Sequence, residues 1–576
     1  MGNTYYKEVV LPGREKNNIM NNRRRVYEKI SALFLSVVML ASLLGGCSRP
    51  TLEGIESTGQ EEVSSMENAE DSSNFNPTGY PIVNQPITLR IAVNRTVDSD
   101  RKSLAEIDYL NDLAKKTNIN IEWIEIGPTA WNEKKNLMFV SGDLPDAFLG
   151  EGISDMDILT NVQSFIPMND LIDNYAPNIK ECFEKEQELK KVVTSADGQI
   201  YSLFRYRGSY FPNTMDTMAI NKIWLDTLGL EIPTTTEEYY EVLKKFKEED
   251  PNGNGKADEI PLILYHQMGN ATNSEANFFP AFGVYDNTSY SDTIYHLMVK
   301  DGQPLFTPAQ EGYKAALEYL HRLYKEGLMD PEIFTTSGEA YNAKCQDTEE
   351  LIGSFTAWTI SNSVGFERAE KDFVQLPPLK GPNGDQGWTV VNDMRIGRNM
   401  FEITSSNKYP EATMRWIDEW YSQDMSIQTF YGPYDVMTEK NEDGTVIAHE
   451  PPEELTYGMW RWGNCPADSA PYACFPEFED ILTPAKQQMD RDVFQKAVEP
   501  YLQKENYPNV MFSLEQMNTL KKIMPDINSY EEMMRAKFIS EGNIDEQWEE
   551  YLNQLNKLGL SEAMDIFIDA YNNYME

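Results

Sequence analysis

Residues 86–93 read PITLRIAV and residues 119–123 read INIEW. In the first stretch Ile87, Leu89, Ile91 and Val93 alternate with other residues, and in the second Ile119, Ile121 and Trp123 do the same. Period-two alternation predicts strands. Between them Leu104, Ile107, Leu110 and Leu113 recur at the spacing of one helical face. Strand, helix and strand in that order predict a largely parallel sheet covered by helices, because parallel neighbours need a crossover. Gly142-Asp143-Leu144-Pro145-Asp146-Ala147-Phe148-Leu149 then predicts a tight turn feeding a third short strand.

Helical patterns dominate further along, so the fold class is α/β with more helix than strand. Thr235 and Glu238 have the spacing of a capping box. Tyr239, Val242, Leu243 and Phe246 follow on one face. A second helix is predicted over 311–325, stopped by Gly327, and a third from about Pro410 with Met414, Trp416 and Ile417. Beyond Pro484 the tail is almost all helix-like. No internal repeat is visible.

Outward from this core, the amino terminus reads as a leader. Arg23, Arg24, Arg25 and Lys29 precede an uncharged apolar run from Ile30 to Leu44, which leads into Leu44-Gly45-Gly46-Cys47. The run is short for a spanning helix, which needs about 20 apolar residues, and fits a cleavable export signal. Its end resembles a bacterial lipobox, in which the Cys47 thiol receives diacylglycerol before cleavage. An uncleaved anchor is the alternative, and Met20 is an alternative start to Met1. Residues 47–85 are polar and poor in large aliphatics up to about Tyr80. Such composition predicts a disordered tether, since it buries too little apolar surface to offset its ordering entropy.

The 576 residues carry a net charge of −42. That balance excludes nucleic acid as the main partner, because binding to phosphates depends on Lys and Arg releasing counterions. Beyond Cys47 the cysteines are Cys182, Cys345, Cys465 and Cys474, too few for a disulfide framework in an exported chain. Cys465 and Cys474 flank a short loop and either bridge or stay free.

Asp250-Pro251-Asn252-Gly253-Asn254-Gly255 matches the start of a calcium loop. Asp250, Asn252 and Asn254 offer side-chain oxygens, Lys256 its carbonyl, and Asp258 stands at the ninth position. The twelfth is Pro261, so this is no ordinary EF-hand, and Glu259 is left to close the shell. An Asn-Gly turn without an ion is the alternative. A calcium ion here would be structural. There is no HExxH, GxSxG or GxxxxGK[ST] pattern, and His266, His296, His321 and His449 are far apart in sequence. The reading is against an enzyme.

Met218 to Leu230 (MAINKIWLDTLGL), Ile232-Pro233-Thr234-Thr235 and the 250–259 loop together resemble the extracellular solute-binding proteins (family 1) of carbohydrate ABC importers. They are akin to the alginate-binding and LipO-like lipoproteins of low-GC Gram-positive bacteria. Further matching pieces are Gly142 to Asp146, Asp197 to Tyr201, Leu323 to Leu328 with Asp330-Pro331-Glu332, and Tyr409 to Ala412. Tyr431 to Asp435 departs from the family's glycine- and glutamate-rich element.

The resemblance implies the type II periplasmic-binding-protein fold: two α/β lobes joined by a hinge, with a ligand cleft between them. The expected lobes are 86–205 with 375–430, and 206–374 with 431–576, the second carrying the helical tail. It also implies structural calcium on Asp250, Asn252, Asn254, Lys256, Asp258 and Glu259. The implied protein is a monomer, lipid-anchored through acyl chains of the palmitate kind at Cys47 on the outer face of the cell membrane. Its partners are a carbohydrate, an oligosaccharide in the first instance, and the permease subunits that receive it. A receptor of the same fold for a peptide or other solute, and a surface glycan-active enzyme or adhesin, are the alternatives. Sugars present C–H faces to aromatic rings and hydroxyls to polar groups. The expected cleft aromatics are Trp358, Trp388, Tyr206, Tyr210, Phe211, Trp460 and Trp462. Arg205, Arg207, Asp146 and Asp393 are the expected hydrogen-bonding partners.

Overall fold

The computed structural model describes residues 74–95, 102–208, 214, 216–266, 274–286, 295–391, 395–452, 455–478 and 480–576. The predicted leader, Cys47 and most of the predicted tether lie outside the described residues. The opening β-α-β unit forms as read: β1 (Ile87–Asn94), α1 (Asp108–Thr117) and β2 (Ile119–Ile126). After α2 (Pro128–Ser141), β3 (Ala147–Leu149) joins β1 on the side away from β2. Both pairings with β1 are parallel, in the registers Ile87↔Ile119 and Ile91↔Ala147. The alternating side chains Leu89, Ile91 and Ile119 are fully buried.

Residues 74–85 are not tether. Phe75 bridges Val83, and the amides of Ile82 and Val83 donate to the Thr117 carbonyl at 3.0 and 3.3 Å. Ile82 and Val83 are themselves buried. An isolated apolar pair in a polar stretch is enough to fold the segment onto the first core.

The chain leaves this core through β4 (Arg205–Arg207) and enters the second at β5 (Thr217–Asn221). There α3 (Thr236–Glu248) begins at the expected capping box, with Glu238 N donating to Thr235 Oγ1 at 3.1 Å. Helix α4 (Glu311–Lys325) buries Tyr313, Leu317, Leu320 and Leu323. Strands β6 (Ser354–Ala357) and β7 (Phe373–Gln375) flank β5, both antiparallel to it. The chain then returns to the first core with β8 (Ile396–Gly397), which pairs with β4, and β9 (Phe401–Ile403), which pairs with β3. Helix α5 (Tyr457–Asn464) and β10 (Tyr472–Cys474), the latter beside β4, also belong there.

The lobe boundaries differ from the expected ones. Leu376, Leu379, Trp388 and Val391 pack in the second core, and Tyr431, Val446, Tyr472 and Leu482 in the first. The chain therefore passes between cores after Tyr206, after Val391 and after Leu482. The first two passages touch at an antiparallel bridge between Thr214 and Val390. Cys465 and Cys474 are buried thiols that form no disulfide, as are Cys182 and Cys345.

The tail is helical as predicted: α6 (Leu514–Glu541), α7 (Ile544–Lys557) and α8 (Leu560–Met575). Three of the four histidines bear on α6. His321 Nδ1 donates to the Ile539 carbonyl at 2.8 Å. His266 sits between Glu275 at 2.9 Å and Glu532 at 3.1 Å. His296 lies 2.9 Å from Asp286 and 3.8 Å from Glu531. Arg535, 3.5 Å from both Glu275 and Glu531, ties these pairs together. Burial alone would lower the His266 imidazole, but the Glu275 carboxylate, helped by Glu532, outweighs it and raises its pKa to about 9. Burial would raise Glu275; the charges of His266 and Arg535 instead bring it down to about 2.

Because His266 is raised above its ordinary value, its stabilising effect is complete below about pH 6.5 and is lost as pH rises through about 9. Melting followed from pH 6.5 to 9.5 is expected to fall in temperature, with a smaller fall in His266→Gln. Arg535→Met strands two buried carboxylates and is expected to destabilise by about 3–5 kcal/mol in denaturant unfolding.

Candidate functional site

In open α/β sheets ligands bind beyond the carboxyl ends of strands, where successive connections turn opposite ways. In the first lobe that place lies between β1 and β3, since the chain runs from β1 to β2 on one side and then over to β3 on the other. Asn94 ends β1, and its Nδ2 donates to the Glu151 carbonyl at 3.0 Å. Glu151 follows β3 inside Gly150-Glu151-Gly152. Both glycines are required by close approach. A Cβ at Gly150, where φ is +86°, would stand 2.6 Å from the Ser469 carbonyl oxygen, and one at Gly152 would enter the Trp131 ring. Arg205, almost buried, pairs with Glu151 at 2.5 Å, while the Glu151 side chain keeps 40% of its surface exposed. Arg95 pairs with Glu125, and Lys102 N donates to the Gly463 carbonyl at 3.2 Å.

Trp462 closes this face with Arg95, Lys102 and Ser469 around a hollow of about 10 Å³. That is room for one water, so the hollow is part of a cleft wall and holds no sugar ring by itself. Trp460, two residues earlier on α5, points to the opposite side and packs against Tyr457 and its neighbours.

In the second lobe, the segment around Ile263 pairs in parallel with β6 at Phe355. Its carboxyl end, Tyr265 and His266, therefore shares an edge with Trp358, which directly follows β6. The amino end of β5 and the carboxyl end of β7 lie at that same edge, which is where the chain arrives from and departs to the first lobe. Trp358 is half-buried against the second core. Beside it Asp216, fully buried, accepts from Asn277 Nδ2 at 3.0 Å.

Of the expected cleft residues, the structure thus brings Trp462 and Arg205 to the first lobe's carboxyl edge and Trp358 to the second's. Trp388 does not join them; 2% exposed, it meets Phe494 edge-on at 5.4 Å inside the second core. Tyr206 is buried against Phe475, its hydroxyl between Arg395 and Glu186. Arg207 is buried with its Nε donating to the Tyr472 hydroxyl at 2.7 Å. Asp146 stands at the amino end of β3, where its carboxylate accepts from Arg90 N at 2.7 Å and clamps β3 to β1 on the far edge of the sheet. Tyr210, Phe211 and Asp393 lie outside the described residues. Asn94, Arg95 and Glu151 were not among the expected residues; their signal was position, each at or just past the carboxyl end of an apolar strand.

The 250–259 loop enters the second sheet at its opposite edge. The Ile260 amide donates to the Leu351 carbonyl at 2.8 Å, at the amino end of the segment that ends in His266. Asp250 Oδ2 accepts from Gly255 N at 3.1 Å, Asn252 Oδ1 from Asn254 N at 3.1 Å and Asn254 Oδ1 from Lys256 N at 2.8 Å. The second oxygen of Asp250, Oδ1, and Glu259 Oε1 are buried and accept no hydrogen bond from the described residues. Burial first, and then the Asp250 and Asp258 charges, raise the Glu259 carboxyl above its ordinary value. Two orphaned buried oxygens fit a hard cation, while Asp258 accepts from Asn254 Nδ2 at 3.0 Å.

Residues 101–426 match the family described as bacterial extracellular solute-binding protein. The fructooligosaccharide ABC transporter substrate-binding protein FusA of Streptococcus pneumoniae is 34% identical, over 81% of this chain and 86% of that one. Two solved structures of FusA, one with kestose and one an EF-hand mutant with fructo-nystose, each superpose with a TM-score of 0.73 at 31% identity. They cover 85% of this chain and 99% of FusA. A human-milk-oligosaccharide (HMO)-binding solute-binding protein of Bifidobacterium longum infantis gives 0.76 at 25% identity, with the same coverages. The chain belongs to the bacterial extracellular solute-binding proteins, and it is a binding protein, not an enzyme.

Proposed function

We propose that this protein captures an oligosaccharide, in the first instance one built of fructose units, between its lobes and passes it unchanged to an ABC-importer permease. The observation that carries the reading is the 34% identity, sustained over 81% of the chain, with a protein named for fructooligosaccharide transport. The site chemistry supports it. Trp358 and Trp462 offer ring faces from opposite lobes. The exposed Glu151 carboxylate, held by Arg205, accepts hydroxyl protons, and Asn94 supplies a further polar group. A neutral, hydroxyl-rich ligand suits this set.

Contacts from two lobes are complete only when the lobes close, so a ligand that bridges them shifts the open–closed equilibrium by its preference for the closed form. The paired passages at Thr214 and Val390 are the hinge. Lipid on Cys47 holds the monomer at the outer face of the membrane, and two or more acyl chains give stable attachment. The tether then makes encounter with the permease intramolecular.

The oxygens of Asp250, Asn252, Asn254, Asp258 and Glu259, with the Lys256 carbonyl, would hold calcium. The ion would neutralise their crowding and brace the loop, remote from the cleft edge.

Calorimetric titration of the purified protein with kestose is expected to give saturable binding with no reducing sugar released. Trp358→Ala is expected to weaken it by about 2 kcal/mol, roughly thirtyfold. Turnover of the sugar, or no heat with kestose or any other glycan, overturns the reading. For the loop, calcium at a hundredfold excess over its dissociation constant stabilises by about 2.7 kcal/mol. Chelator is therefore expected to lower the melting temperature while glycan preference stays the same, and Asp250→Ala is expected to abolish the calcium response. A melt indifferent to calcium removes the metal from the account.

A further inference from the structure

Arg398 lies just past β8, in the turn between β8 and β9 of the first lobe, and its guanidinium is almost wholly committed. Its Nε and Nη2 donate to Asp155 at 3.0 and 2.5 Å. Asp155 opens a short helix of the first lobe, Asp155–Thr160, and also accepts from Asn399 Nδ2 at 2.7 Å. The other side of the fork leaves that lobe. Nη1 donates to the Asn509 carbonyl and Nη2 to the Val510 carbonyl, each at 3.0 Å. Asn509 answers with Nδ2 donating to the Ile396 carbonyl at 3.3 Å.

The segment that carries those carbonyls is fixed to the second lobe. Tyr507, Val510 and Phe512 are buried in the second core, and the Tyr507 hydroxyl donates to the Phe567 carbonyl at 2.8 Å. Arg398 therefore joins the two lobes beside the second passage of the chain. The Arg398 and Asp155 side chains are each only 12% exposed, so the pair is poorly screened by solvent and is stronger than a surface ion pair. A second, weaker join lies nearby. Glu188 of the first lobe accepts from Arg395 at 2.9 Å and from the Tyr574 hydroxyl, at the end of α8, at 3.1 Å.

We infer that Arg398 is a positioning residue for ligand capture: it fastens the carboxy-terminal strap of the second lobe to the first and so fixes the orientation from which the lobes close. The inference rests on the reading of the protein as a two-lobe binding receptor. Neither core needs the contact for its own burial. Its loss leaves both lobes folded but broadens their relative orientation. The population ready to close then falls, and apparent affinity falls by the same factor. Lysine keeps the charge but cannot serve a carboxylate and two carbonyls from one fork.

The test pairs affinity with interlobe distance, in the full chain carrying Cys47→Ser. Spin labels go on Val140→Cys in the first lobe and Met533→Cys on α6, both exposed, while the four other cysteines are buried. Arg398→Met is expected to broaden the ligand-free distance distribution and to weaken kestose binding about tenfold. Arg398→Lys is expected to fall between it and the unaltered chain, and Asp155→Asn, if Arg398→Met fails to fold, to show the same broadening. A lower melting temperature with unchanged distances and affinity would overturn the inference, leaving Arg398 a purely structural residue. If the unaltered chain binds no glycan, the functional reading fails on its own, and the ligand-free distribution still decides the role of Arg398.

Discussion

Glu275 is fully buried, and an ionised carboxylate cannot stay in an apolar interior without cations to meet it. His266 supplies one from its own side of the second lobe. The other, Arg535, comes from α6, some 260 positions further along the chain. The carboxy-terminal helices lie against the second core with Arg535 as the second cation on Glu275, beside His266. From that fixed position the tail places Asn509 and Val510 under the guanidinium of Arg398. The buried ionic cluster thus ties the tail to the second lobe, and the tail in turn reaches Arg398.

The groups proposed for structural support and those proposed for recognition fall on different edges of the same sheet. The 250–259 loop feeds the second sheet from its amino side, whereas Trp358 and His266 stand where the strands end. In the first lobe Asp146 clamps β3 to β1 at the amino edge, and Glu151, five residues later, projects at the carboxyl edge. A strand of three residues is just long enough to separate a carboxylate held by Arg90 N from one that stays 40% exposed.

Local signals were legible in the sequence because they rest on short-range physics. The alternation in 87–93, the capping box at Thr235 and the apolar faces of the tail each need only neighbours a few positions away. The oxygen spacing of the 250–259 loop is legible for the same reason, and the family resemblance supplied the two lobes and hinge. What was not legible depends on return of the chain. Nothing near Trp388 shows that Phe494 will cover it, and nothing near Tyr206 announces Phe475. The 431–482 segment carries no local mark of the lobe it joins; β10 is assigned to the first lobe only by pairing with β4. Residues 74–85 misled for the opposite reason, since average polarity concealed the single pair Ile82-Val83. Arg398 was invisible because its meaning lies wholly in partners distant in sequence.

Three passages of the chain between two bodies constrain motion more than a single linker does. Two of them are bridged to each other at Thr214 and Val390, so they turn together about a short common axis. The third returns from Leu482 into the tail, which is itself bound to the second core. Arg398 and Glu188 both stand where the tail meets the first lobe. The groups proposed to meet a ligand, Trp358, Trp462 and Glu151, are different ones. The proposed recognition and positioning roles thus fall on separate residues.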